Sequence, residues 1–253
     1  MQVTFLGTGA SHGIPVIGCD CQVCKSTDSR DKRLRSSVFI KTSNNNLVID
    51  AGPDFRQQML REKITSIDAV LITHEHKDHT AGLDDVRAYN YLMRKAMSIY
   101  AESRVLDSIK REYAYVFSDD KYPGIPELDL HTVTNEKFEL NGDTIIPLQV
   151  FHNLLPVFGY RIGAFAYITD AKTISAVEKQ KLQDLDALVI NSLRVKPHIS
   201  HMGFDEVLDL IEELKPKRAF LTHTSHMHFN YAQLEAQLPA NVFSAYDGLL
   251  IEV

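Results

Sequence analysis

Residues 73–79 read THEHKDH, and the rest of the chain is best read outward from them. The stretch follows IDAVLI at 67–72, a run of Val, Ile and Leu with strand character. His74, His76, Asp78 and His79 place four ligand-type side chains in six positions, which suits two metals and not one. Imidazole and carboxylate are donors that Zn²⁺ favours and that Mn²⁺ or Fe accepts. His74 and His76 are expected on one side of a loop. Asp78 and His79 are expected to open a helix that continues through Leu83, Val86 and Tyr89. A surface loop rich in histidine is the competing account, and the apolar strand before it argues against that.

The same arrangement recurs along the chain. Strands are expected at VTFLGTG, SVFIKT, NLVIDAG and IDAVLITH, with IYAES as a further candidate. A second set is expected at TIIPLQVFH, YRIGAFAYITD, ALVINSL, AFLTH and LLIEV. Helices are expected over 102–117, with Val105, Leu106, Ile109, Tyr113 and Val116 on one face, and over a stripe of Phe204, Val207, Leu208, Ile211 and Leu214 that Pro216 ends. Asp50, His74, His152, Asp170 and His223 each follow an apolar strand directly. Strand ends are rigid, and ligands of α/β folds collect at the carboxyl edges of sheets. Two strand sets interleaved with helices imply two sheets face to face with helices outside, in four layers, although an ordinary doubly wound sheet satisfies the alternation as well. A single domain over residues 1–253 is expected.

The HxHxDH pattern, followed by a His, an Asp and a His at later strand ends, resembles the signature of the metallo-β-lactamase superfamily. The resemblance runs from the opening GTG to the final strand, and it implies the αββα sandwich. It also implies the ligand roles. One divalent metal, Zn or Mn, is held by His74, His76 and His152; a second is held by Asp78, His79 and His223; Asp170 bridges them. The two cations of such a site lie about 3.5–4 Å apart and share a hydroxide that acts as the nucleophile. Asp50 is either an acceptor for a ligand histidine or a strand-end turn residue, and Asp247 has the same two readings.

Cys19, Cys21 and Cys24 all fall in GCDCQVC. Three thiols so close leave one over from any pairing, and clustered cysteines in an unsecreted chain more often hold metal. Three thiolates need a fourth ligand to close a tetrahedron. The subgroup that includes the phosphonate-pathway cyclic phosphodiesterase is similar here, with a CxCxxC loop and a late histidine around a structural zinc. That similarity favours His226 as the fourth ligand, with His228 as competitor.

Composition excludes little. The net charge of −6 does not call for long nucleic acid as a partner. No apolar run is long enough to cross a membrane, and MQVTFLGTG does not read as an export signal, so a cytoplasmic chain is expected. The lack of such a signal disfavours a secreted lactamase. A strand at the end disfavours glyoxalase II, whose extra domain is helical. No Gly/Pro-rich arm of the ribonuclease Z kind stands out. A small or cyclic phosphodiester is therefore the expected substrate. A nuclease of the ribonuclease Z type and a non-catalytic carrier resembling the quinone-cofactor protein are the alternatives. In PHISHMGFDEV, the subgroup resemblance makes His201 the expected general acid, with His198 second. Asp78 is expected to serve the catalytic site besides its ligand role. Arg30, Lys32, Arg33 and Arg35 form either a phosphate-attracting patch or, slightly preferred, a solvated charge run. His12 is a further candidate for the pocket wall. Tyr and Phe are frequent over 87–130, as expected of a substrate wall, a homodimer contact or plain core.

Overall fold

The computed structural model describes residues 1–119 and 122–253. Among these residues the strands form two sheets. The first runs, edge to edge, Leu250–Glu252, Gln2–Gly7, Ser37–Lys41, Asn46–Ile49, Ala69–Leu71, Met97–Ala101 and Leu128–Thr132. The second runs Thr173–Ile174, Asp143–His152, Leu155–Ile162, Phe165–Ile168, Ala187–Asn191, Arg218–Thr222 and Val242–Ser244, with Phe138–Leu140 paired to Asp143–His152.

Side-chain alternation explains the layering. Leu47, Ile49 and Leu71 point between the sheets, where they meet Ile145, Tyr160, Phe165, Tyr167 and Val189. Their neighbours Val48, Val70 and Ile72 point the other way, onto Phe55 and Met59 of the helix Phe55–Arg61 and onto Val105 and Ile109 of the helix Ser103–Glu112. On the far side, Leu188 and Ile190 pack on Val207, Leu210, Ile211 and Leu214 of the helix Phe204–Leu214. Three apolar interfaces separate four layers, so the αββα sandwich is the observed fold and a single doubly wound sheet is not. No helix among the described residues is long and apolar enough to cross a membrane.

Several local expectations change. YRIGAFAYITD is not one strand: Gly163, at φ 56°, turns the chain between two antiparallel partners. The last strand joins the first sheet, where Val3 faces Ile251. Leu210 replaces Leu208 as a buried member of its helix face. The helix after THEHKDH breaks into Lys77–Thr80, a 3-10 turn at Leu83–Val86, and Arg87–Met93. The break has a physical cause. Ala51 N–H donates to His79 O and Gly82 N–H to Ala51 O, both at 2.8 Å. A Cβ on Gly82 would lie 2.1 Å from Gly52 O, so this close crossing of two backbones is possible only with glycine.

Candidate metal centre

The carboxyl edges of both sheets meet where the ligand-type residues gather. Asp50 follows Ile49, His74 stands three residues past Leu71, His152 ends its strand, and Asp170 and His223 follow Ile168 and Thr222 closely. Asp50, Asp170 and His223 have left-handed backbone, at φ 66°, 57° and 54°. Such a conformation is uncommon for residues other than glycine and concentrates at functional sites. The sheets are also tied together here. Phe158 N–H donates to Thr73 O at 3.0 Å, and the Tyr160 hydroxyl donates to Ile72 O at 2.8 Å.

The imidazoles are held from behind. His79 Nδ1 lies 2.7 Å from Asp50 Oδ2 and donates to it. The Thr73 hydroxyl donates to Asp50, so it accepts from His74 Nδ1 at 3.0 Å. The Ser36 hydroxyl donates to Gly9 O, so it accepts from His223 Nδ1 at 3.1 Å. His152 Nδ1 donates to Ser200 O at 2.8 Å. In all four rings the Nδ1 proton is used outward, which leaves the Nε2 lone pair free to face inward.

What those lone pairs face decides the chemistry. His79 Nε2 lies 3.2 Å from Asp78 Oδ2 and from Asp170 Oδ2, and His223 Nε2 lies 3.3 Å from Asp170 Oδ1. His74 Nε2 lies 2.9 Å from Nδ1 of the exposed His76, which donates to it when the His76 proton is on Nδ1, so this pair is not one of the facing acceptors. His79 Nε2 is buried and has no hydrogen-bond partner. Acceptors facing acceptors in a buried space repel unless a cation or proton lies between them. Ligand atoms converge in three overlapping sets: His74, His79 and Asp170; Asp78, His79 and His223; His152, Asp170 and His201. Asp170 and His79 each belong to two of them. The sets do not follow the expected partition line for line: His74 is grouped with His79, His201 joins His152 and Asp170, and His76 is in none of them.

The electrostatics agree. Burial lowers the pKa of His74, His76 and His223, which keeps them neutral. Burial also opposes charge on His79, but Asp50, Asp78 and Asp170 outweigh it and raise that ring well above its ordinary value. Asp78 and Asp170 are lowered despite burial, by His79 and His223. The cluster thus demands positive charge, and without metal His79 carries it.

A model of the beta-lactamase superfamily domain matches residues 45–224. The chain belongs to the metallo-β-lactamase superfamily. A crystal structure described as a new diphosphatase from the PhnP family is 39% identical and superposes with a TM-score of 0.93, over all of this chain and 97% of that one. Zinc-bound PqqB from Methylobacterium extorquens shares the fold, at a TM-score of 0.81 and 21% identity over the whole of both chains. A Porphyromonas gingivalis protein named octanoyltransferase is 42% identical over 98% of this chain but only 51% of its own length. The chain spans about half or less of the length of the curated relatives it matches.

This superfamily member carries a second candidate metal site. Cys19, Cys21, Cys24 and His226 bring their ligand atoms together, with His226 Nδ1 3.1 Å from Cys19 Sγ and 3.6 Å from Cys21 Sγ. Val16 N–H donates to Cys24 Sγ and Cys24 N–H to Cys21 Sγ. Burial opposes ionisation of Cys21, but these donors and neighbours lower it to about 6; burial, with Cys21 and Cys19 nearby, pushes Cys24 up to about 11. The thiols cannot all ionise together without a cation, and the cluster is compatible with a structural zinc. His228 does not compete: its Nδ1 accepts from Phe229 N–H at 2.9 Å and its Nε2 meets the Ser192 hydroxyl at 3.0 Å.

The basic run is not the solvated charge run slightly preferred from the sequence. Arg33 is buried and donates to Thr8, Ser244 and Ala245. Arg30 pairs with Asp28, Arg35 with Asp54, and Lys32 donates to Cys24 O. Asp247 accepts from Thr8 and Leu34 N–H, a structural role, whereas Asp50 does hold a candidate ligand. His12 is exposed. The aromatic residues divide: Tyr89 and Tyr113 are buried, and Tyr91 and Tyr122 are exposed. Asp120 and Lys121 of that segment lie outside the described residues. An apolar groove of about 520 Å³ between Phe55–Arg61 and Arg87–Met93 includes none of the candidate ligands. Sequence reasoning missed Ser36, Thr73, Ser200 and Thr169, whose hydroxyl donates to Asp170 Oδ2 at 2.7 Å and lies 3.2 Å from His223 Nδ1. Thr73 and Thr169 each precede a candidate ligand in the sequence, a signal that was available.

Proposed function

We propose that this chain hydrolyses small phosphodiesters at a centre of two divalent cations, Zn or Mn. His74, His76 and His152 would hold one cation and Asp78, His79 and His223 the other, with Asp170 between them. When bound, the cations supply activation of water and neutralisation of charge on the phosphoryl oxygens. The protein holds the Nδ1 protons of His74, His79, His152 and His223 outward, keeps His74 and His223 neutral by burial, and buries His74, His79, Asp170 and His223.

The observation that carries the reading is the place of His201. It is 8% exposed, its Nδ1 lies 3.5 Å from Asp170 Oδ1, and that nitrogen has no hydrogen-bond partner. A buried, uncommitted imidazole beside the candidate centre is placed to give its proton to a leaving oxygen. Burial, then His223, His152 and His198, push it down to about 3 despite Asp170. An anionic phosphate against the ring supplies the counter-charge that lets it hold a proton. Water loses a proton to solvent as its oxygen bonds to phosphorus, the bond to the leaving oxygen breaks, that oxygen takes the His201 proton, and His201 is reprotonated from solvent.

The diphosphatase name of the 39% identical structure fits the same chemistry, since an anhydride also presents phosphorus and a leaving oxygen. The octanoyltransferase name of the double-length relative is not carried over, because this chain matches only 51% of that protein's length. Arg30 and Arg35, paired with Asp28 and Asp54, and the buried Arg33 weigh against a long nucleic acid. The test compares metal-loaded protein on bis(p-nitrophenyl) phosphate, nucleoside 2′,3′-cyclic phosphates and a thioester. Turnover of the phosphodiesters alone supports the reading. Turnover of the thioester alone, or of nothing by fully loaded protein, rejects it.

A further inference from the structure

The loop at 194–202 presents a second histidine that the proposed reaction does not use. His198 Nδ1 receives the Ser200 backbone N–H at 3.3 Å and meets the Ser200 hydroxyl at 3.1 Å. A backbone N–H can only donate, so Nδ1 is an acceptor and the ring proton sits on Nε2. Burial and the charges of Arg194, His152 and Lys172 lower the pKa of His198, which keeps the ring in that neutral form. No partner for Nε2 occurs among the described residues.

The loop is rigidly held. Arg194 donates from Nε to Lys196 O at 3.1 Å and from Nη2 to Pro197 O at 2.7 Å. Ser200 O anchors His152 at 2.8 Å. A Cβ on Gly203 would lie 3.1 Å from Lys196 O, so the loop closes tightly on its own end. His198 therefore stands at a fixed position, its ring centroid 5.4 Å from that of His201 and half-exposed where His201 is buried. Arg194 spends its donors on carbonyls and pairs with no carboxylate among the described residues, so its positive charge is uncompensated.

We propose that His198 is a specificity-determining residue whose Nε2–H binds an anionic oxygen on the leaving group, so that the site prefers leaving groups that carry a second phosphoryl group. The proposal rests on the phosphodiester reading, which places the leaving oxygen at His201. His198 is the neighbouring ring, 5.4 Å from His201 between centroids and more exposed than it. An alkoxide or phenolate leaving group has no acceptor there, whereas a phosphate leaving group offers two or more oxygens beyond the bridging one. A neutral donor beside the uncompensated charge of Arg194 pairs best with such an anion, Lys172 being paired with Glu206.

The test is calorimetric binding of ADP and AMP to metal-loaded protein, followed by metal analysis. The wild type should bind ADP about tenfold more tightly than AMP, as one hydrogen bond to a charged group allows. His198→Ala should lower ADP affinity about tenfold more than AMP affinity. His198→Gln, whose amide nitrogen can stand near Nε2, should restore part of the preference. Equal wild-type affinities, or a preference that survives His198→Ala, overturns the proposal; so does equal loss for both nucleotides, which is the mark of a merely structural role. Loss of phosphodiester turnover is a separate result. A wild type that shows the ADP preference yet hydrolyses no phosphodiester refutes the hydrolytic reading while supporting the assignment of His198 to the second phosphoryl group.

Discussion

Asp50 and His79 are joined by a 2.7 Å hydrogen bond, and both side chains are fully buried. Asp50 also accepts from Thr73 N–H at 2.8 Å and from the Thr73 hydroxyl, which in turn holds His74. One carboxylate thus orients two candidate ligands. Asp50→Ala should weaken metal binding about ten- to a hundredfold, the usual effect of losing such support. Competition with a chromogenic chelator measures it, and unchanged affinity would remove Asp50 from this role.

Metal uptake should release a proton from His79. The carboxylates raise this ring well above its ordinary value, so at neutral pH the metal-free protein keeps the proton that a cation must displace. Affinity should therefore fall as pH falls below the raised pKa, by about tenfold per pH unit for one proton. Calorimetry in two buffers of different ionisation enthalpy reads the proton directly. Identical heats in both would show that no proton moves.

His201→Ala should retain its metals and lose about 10²–10⁴ in kcat on substrates with alkoxide leaving groups. The loss should be much smaller when the leaving group is p-nitrophenolate, which departs without a proton. Comparable losses on both substrates would deny His201 the general-acid role.

Cys24→Ser should lower zinc content by about one equivalent per chain and lower thermal stability, because a structural zinc is bound only by the folded loop. The equivalents at the His/Asp centre should remain. Elemental analysis and a melting curve check both, and unchanged zinc content would exclude the thiol cluster as a site.

Much of this was legible because apolar strands announce themselves. Asp50, His74, His152, Asp170 and His223 stand out from the Val- and Ile-rich runs before them; two such sets allow a sandwich or a doubly wound sheet, and the resemblance carried by HxHxDH is what implies the sandwich. What was not legible depended on distant partners. Arg33 sits in a run that looks solvated, yet Ser244 and Ala245, far along the chain, bury it. The strand Leu250–Glu252 carries no local mark that it pairs with Gln2–Gly7. The helix after His79 breaks because Gly82 meets Gly52, a contact that periodicity does not encode. The outward hydrogen bonds of Ser36 and Ser200 likewise appear only once both sheets are assembled.

The most direct test of the account is phosphodiester hydrolysis followed through removal and return of metal. Chelated protein should be inactive on bis(p-nitrophenyl) phosphate, and activity should return in step with about two equivalents of Zn²⁺ or Mn²⁺ per chain bound at the His/Asp centre. Activity that persists without metal, or full loading with no phosphodiester turnover, would contradict it.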